Sequence, residues 1–153
     1  MKEICIKGDK MKIKQLSIFL QNRMGSLSKP LEVLSENDIN IRAMCMADTS
    51  EFGILRLVVD NPEKGKEALE ENNFLVKMTE IIGVEMNDAP GGLTSVLKII
   101  KDNNIDLEYL YAFTHDKADK AILLLHTDDI DSLIDVLSEN NVTLTSAEEV
   151  YNL

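Results

Sequence analysis

Two short segments, NRMGSL around Gly25 and NDAPGGL around Gly91, set glycine between a run of alternating apolar residues and a run with helical spacing. A chain that leaves a strand and enters a helix within a few residues needs backbone freedom. Glycine supplies it through positive φ and also lets a ligand come close. The first amides of the helix then lack intrahelical partners, and together with the helix dipole they attract a carboxylate or phosphate by about 0.3–1 kcal/mol. A phosphate calls for more cationic donors, yet Arg23 marks the first corner and Asp88 the second. A free amino acid fits better. Its carboxylate meets the helix start, and its ammonium meets oxygens that Asn22, Asp88, Asn40 and Asp106 can supply. Three or four charge-assisted hydrogen bonds of about 1.5–3 kcal/mol each reach millimolar to micromolar affinity after ordering costs. A glycine at such a junction can equally be a bare turn, and that alternative stays open here.

The flanking elements have to position these corners. Leu16, Ile18 and Leu20 alternate with Gln15, Ser17 and Phe19, the two-residue period of a strand. After the break at Asn22 to Gly25, Leu27, Leu31 and Leu34 form a helical stripe, with Ser26 or Ser28 as cap, Pro30 in the first turn, and Asn37 and Asp38 as the exit. INIRAMCMA, from Ile39, predicts a second strand and GILRLVVD a third; Asn61 and Pro62 start a short helix to Glu71, and Phe74, Val76 and Met78 alternate in a fourth strand. The second half repeats this order. Ile82, Val84 and Met86 predict a strand, and Leu93, Val96, Leu97 and Ile100 a helix that ends at Asn103 and Asn104. IDLEYLYAF answers INIRAMCMA, AILLLHT answers GILRLVV, and IDSLIDVLSENNVTL answers KGKEALEENNFLV. Such matching marks an internal duplication.

Strand, helix, strand, strand, helix, strand, written twice, predicts an α+β chain of two ferredoxin-like βαββαβ units side by side, with antiparallel sheets and the helices on one face. The boundaries read from the repeat are an N-terminal extension over 1–10, one unit over 11–80 and a second over 81–153. The joint near Thr79 and Glu80 leaves no room for a flexible linker.

Composition narrows the partners. A formal charge of -11, from 27 acidic and 16 basic residues, repels nucleic acid and anionic membranes alike. No apolar run approaches the roughly 20 residues of a spanning helix, and MKEICIKGDK is too polar for a signal peptide, so a cytoplasmic protein is expected. Cys5 and Cys45 read as reduced thiols and His115 and His126 as isolated, solvent-facing imidazoles, so neither metal nor cofactor is expected. Met24, Met44 and Met46 read as gap-filling core, and Asp128, Asp129 and Asp131 as helix-start caps.

LQNRMGSLSKPLEVLSENDINI and MNDAPGGLTSVLKIIKDNNIDL resemble the N/D-x-P-G-x-L corner, helix and I-N-I strand of the ACT domain family, small regulatory modules of amino-acid metabolism. The resemblance covers nearly all of Met11 to Leu153, twice. It implies that amino acids bind where one unit's corner faces a neighbour's strand. The family's polar contact before the glycine then falls on Asn22 and Asp88 and its second-strand contact on Asn40 and Asp106. The corners themselves comprise Met24, Gly25, Ser26 and Leu27, and Pro90, Gly91, Gly92 and Leu93. Met24 stands where the family has proline, and aspartate holds both polar positions of the second unit, so the two sites differ in charge.

The resulting functional expectation is a non-enzymatic regulator that binds a free amino acid or similar small zwitterion between its units. It would act on a separate amino-acid-metabolism enzyme and form a homodimer. The competing reading is a ligand-free assembly module that recruits such an enzyme; catalysis is not expected, because no activated nucleophile, acid–base pair or metal set can be named.

Overall fold

The computed structural model describes residues 8–48, 51–114 and 119–153; Cys5, His115 and most of the 1–10 extension lie outside them. The duplicated order is present. Strand β1 (Lys12–Gln21), helix α1 (Ser28–Glu36), strands β2 (Ile41–Asp48) and β3 (Phe52–Val59), helix α2 (Pro62–Glu71) and strand β4 (Leu75–Asn87) come first. Helix α3 (Gly92–Asp102), strands β5 (Tyr109–Thr114) and β6 (Lys120–His126), helix α4 (Ile130–Glu139), the short β7 (Leu144–Thr145) and helix α5 (Ala147–Tyr151) complete the chain. Two compact units result. The first is Lys14–Thr79 with Val150–Leu153, and the second is Glu80–Glu149 with the described residues up to Ile13. The chain therefore passes from one unit to the other inside β4.

In the first unit the strands lie in the order β2, β3, β1, β4, with β1 and β2 both antiparallel to β3. In the second, β7, β4, β6 and β5 follow one another through antiparallel pairs, the same arrangement. Each sheet buries one apolar row under its two helices. Leu16, Ile18, Leu20, Leu55, Leu57 and Val59 pack with Val33 and Leu34 of α1 and Ala68 and Leu69 of α2. Ile82, Val84, Leu123 and Leu125 pack with Val96 and Ile100 of α3 and Leu133, Ile134 and Leu137 of α4. These are ferredoxin-like α+β units with helices on one face, as the periodicity predicts.

One device ends α1, α2, α3 and α4 alike. Asn37, Asn72, Asn103 and Asn140 each donate a side-chain N–H to the carbonyl four residues back, at 2.8–2.9 Å. The next residue, Asp38, Asn73, Asn104 or Asn141, takes φ of +56 to +65°. The apolar residue after that sends its amide to the carbonyl five back, as Ile39 does to Leu34 and Ile105 to Ile100. This is the Schellman arrangement, and it satisfies carbonyls that a helix end leaves open. It also corrects the second strand, which begins at Ile41 and not Ile39 because Ile39 spends its amide on the helix exit. The α1 stripe is corrected too. Pro30, Val33 and Leu34 are buried, whereas Leu27 is 40 % exposed.

The last residues belong to the first unit. The Tyr151 hydroxyl accepts the Lys14 amide at 2.7 Å, and the Tyr151 carbonyl accepts Arg42 Nε at 2.9 Å. Burial pushes the Tyr151 phenol up, against the opposing effect of the Lys14 amide.

Two outcomes follow from these contacts. Asn73→Ala loses about 1 kcal/mol, because alanine resists the left-handed conformation more than asparagine does, while Asn73→Gly loses less; urea midpoints of the two variants measure the difference. For Tyr151, a raised folded value means that its contribution is complete below the ordinary phenol value of about 10 and fades as pH rises through the folded value. Urea midpoints between pH 8 and pH 11 fall more steeply for the wild type than for Tyr151→Phe.

Candidate functional site

The two glycine corners have left-handed backbone, with φ +80° at Gly25 and +88° at Gly91. A Cβ added at either glycine would meet open space, so the corner is approachable from outside. The helices that follow are unlike their neighbours. No side chain caps α1 or α3, and neither has an acidic residue in its first turn. By contrast, α2 is capped by Asn61, which accepts the Lys64 amide, and carries Glu63. Helix α4 is capped by Asp129, which accepts the Ser132 amide, and carries Asp131. Hydrogen bonds from Ser132 hold the Asp129 carboxyl below the usual range. The serines expected to cap α1 do otherwise: Ser28 Oγ donates to the Gly25 carbonyl at 3.0 Å, and the Ser26 amide turns back to the Arg23 carbonyl. In the second corner Ser95 Oγ likewise donates to the Gly91 carbonyl at 2.9 Å, and the Gly92 amide bonds the Ala89 carbonyl.

A cleft of about 360 Å³ opens at the first corner between Phe19, Leu20, Gln21, Arg23, Met24, Ser26 and Lys29 on one side and Asn73, Phe74 and Leu75 on the other. Arg23 and Lys29 bring positive charge to a helix start that is already positive. Such an arrangement favours an anion there. Met24 is fully exposed and lines this cleft, and Met44 and Met46 are also exposed, so none of the three is gap-filling core.

Asn40 and Asp106 stand elsewhere. A second cleft, of about 540 Å³, is lined by Leu31, Leu34, Ser35, Asp38, Ile39, Asn40 and Ile41 with Asp60. A third, of about 520 Å³, is lined by Leu97, Ile100, Lys101, Asn104, Ile105, Asp106 and Leu107, the same seven positions one repeat later. The Asn40 amide donates to Asp60 Oδ1 at 3.1 Å, and the Asp106 carbonyl accepts Thr127 Oγ1 at 2.7 Å. Within either unit, the corner lies at the start of the helix and the Asn40 or Asp106 cleft at its end. A helix of nine residues is about 13 Å long. One small ligand cannot touch both ends.

A family model described as an ACT domain pair matches residues 11–153. The chain belongs to that family. The crystal structure of protein BT0572 from Bacteroides thetaiotaomicron superposes with a TM-score of 0.88 at 38% identity, covering 94% of this chain and 98% of that one. The regulatory subunit of aspartate kinase from Thermus thermophilus, in ligand-free form, gives 0.61 at 11% identity over 86% of this chain and 94% of that one. Its counterpart from Thermus flavus gives 0.60 at 12% identity over 84% and 92%. These last two share the ACT-pair fold. No curated protein matches the sequence.

The ACT corner motif places Asn22, Met24, Gly25, Ser26 and Leu27 together at the first helix start, and Asp88, Pro90, Gly91, Gly92 and Leu93 at the second; most of them are exposed. The sequence reading missed Lys29, Asn73 and Phe74 at the first corner and Asp60 beside Asn40. Only Lys29 carried a local signal, a cation in a first turn. The others arrive from distant segments.

The corners also differ in how tightly they are built. A Cβ at Gly92 would lie 2.0 Å from the Asn87 carbonyl oxygen, whereas Ser26 holds the matching place in the first corner. Gly92→Ala therefore loses about 1–3 kcal/mol, the range of core overpacking, in thermal unfolding, while Ser26→Ala changes stability by less than about 0.5 kcal/mol.

Proposed function

We propose that this ACT domain pair is a non-catalytic regulatory protein that binds a free amino acid or similar small zwitterion at its glycine corners. The observation that carries the reading is the contrast between helix starts. The α2 and α4 starts are satisfied by Asx caps and acidic first turns, while α1 and α3, which follow the positive-φ glycines, have neither. A positive helix end without a side-chain cap or an acidic first turn suits a carboxylate.

The corner and the Asn40 or Asp106 cleft of one unit are separate places, and the ligand's carboxylate goes to the corner. Asn22 or Asp88 then receives the ammonium. Aspartate at 88 makes the second corner the stronger for a cationic group, and Arg23 with Lys29 makes the first the stronger for an anionic one. The aspartate kinase regulatory subunits share the fold, which supports a separate amino-acid-metabolism enzyme as the partner.

Calorimetric titration with each common amino acid tests the reading. At least one is expected to bind with millimolar or tighter affinity, and Gly25→Asp or Gly91→Asp is expected to weaken that binding at least about tenfold by placing a carboxylate where the ligand's own should sit. Silence from all of them at millimolar concentration, with the fold intact by circular dichroism, leaves the ligand-free assembly reading in its place.

A further inference from the structure

At the end of the β5/β6 hairpin, Glu108, His126 and Asp128 bring one ligand atom each to within 4.8 Å of the others. The sequence predicts a solvent-facing His126, but its side chain is only 14 % exposed. Three contacts fix the ring. Tyr109 stacks on it with centroids 4.8 Å apart, Nδ1 lies 3.0 Å from the Glu80 carbonyl oxygen, and Nε2 lies 3.1 Å from Glu108 Oε2. The backbone holds the partners in place as well. The Glu108 amide donates to the His126 carbonyl at 3.0 Å, and Thr127, between His126 and Asp128, donates its hydroxyl to the Asp106 carbonyl.

A carbonyl oxygen only accepts, so Nδ1 carries the proton and donates to Glu80. Nε2 then presents either a second proton or a lone pair to the Glu108 carboxylate. With a lone pair, two acceptors face each other at 3.1 Å, which is repulsive unless a cation lies between them. A carbonyl-bound Nδ1–H that orients Nε2 outward is the usual support for a metal-ligating histidine. The spacing of His126 and Glu108 fits as well. Two ligand atoms each about 2.0–2.2 Å from an ion, at angles between square and tetrahedral, are about 3.0–3.4 Å apart.

The geometry points to a divalent first-row metal site at Glu108, His126 and Asp128, with imidazole and two carboxylates as ligands and the remaining positions open to water. This donor set suits zinc, nickel or cobalt, and it lacks the all-oxygen character that calcium or magnesium prefers. The isolation of His126 in the sequence concealed it, because Glu108 comes from the segment just before β5.

The test is titration of the full chain with Zn2+ by calorimetry and with Co2+ by visible absorption. The expected result is one ion per chain and a cobalt spectrum without a thiolate charge-transfer band, which separates this site from the thiols of Cys5 and Cys45. Asp128→Asn, an exposed change that leaves the fold intact, and His126→Gln are each expected to weaken binding at least about tenfold. Lack of metal binding by the wild type, or binding that both variants retain, overturns the proposal and leaves a proton as the occupant of the gap between His126 and Glu108.

Discussion

Each unit depends on a single row of apolar side chains on one face of its sheet, against which two short helices are held. Nine to eleven residues are too few for a helix to persist in water by propensity alone, so α1 to α4 exist because Leu57, Leu69, Leu123 and Leu137 have nowhere else to hide. The Asn-led exits complete this constraint. By turning the backbone left-handed at a defined residue, they fix where the chain returns to the sheet and place Ile39 and Ile105 under the helices they have just left.

That division of labour explains the contrast among helix starts. Stability asks every helix to satisfy its first amides, and α2 and α4 comply through Asn61 and Asp129. Helices α1 and α3 have no such side-chain cap, in both halves of a duplicated chain, and both begin after a glycine whose φ few other residues accept. The same omission recurs in both halves although serines stand nearby, because Ser28 and Ser95 donate to the Gly25 and Gly91 carbonyls instead. The first of these starts goes further by adding Arg23 and Lys29 to a region that already repels cations.

Much of the fold was legible in the sequence because its signals are periodic and local. Alternation located the strands, and Asn followed by Asp or Asn located the exits of α1 and α3. Local signals misled where one group served two elements. Ile39 reads as strand by alternation, yet its amide closes a helix; Leu27 reads as stripe by spacing, yet the helix begins one residue later and turns it outward. The corners were legible as glycine between two periodicities. The surroundings were not, because Asn73 and Phe74 reach the first corner, and Asp60 reaches Asn40, from segments with no sequence proximity. The same blindness applied to His126, whose neighbours Glu80, on β4, and Glu108, just before β5, are far from it in sequence.

The placement of Tyr151 has an optical consequence. The chain has no tryptophan and three tyrosines, at 109, 111 and 151, and the first two sit in the second unit while Tyr151 alone sits in the first. Near-ultraviolet emission therefore carries a separate reporter for each half. With Tyr151 exchanged for phenylalanine, the first half goes dark and any remaining signal belongs to the hairpin that bears the imidazole.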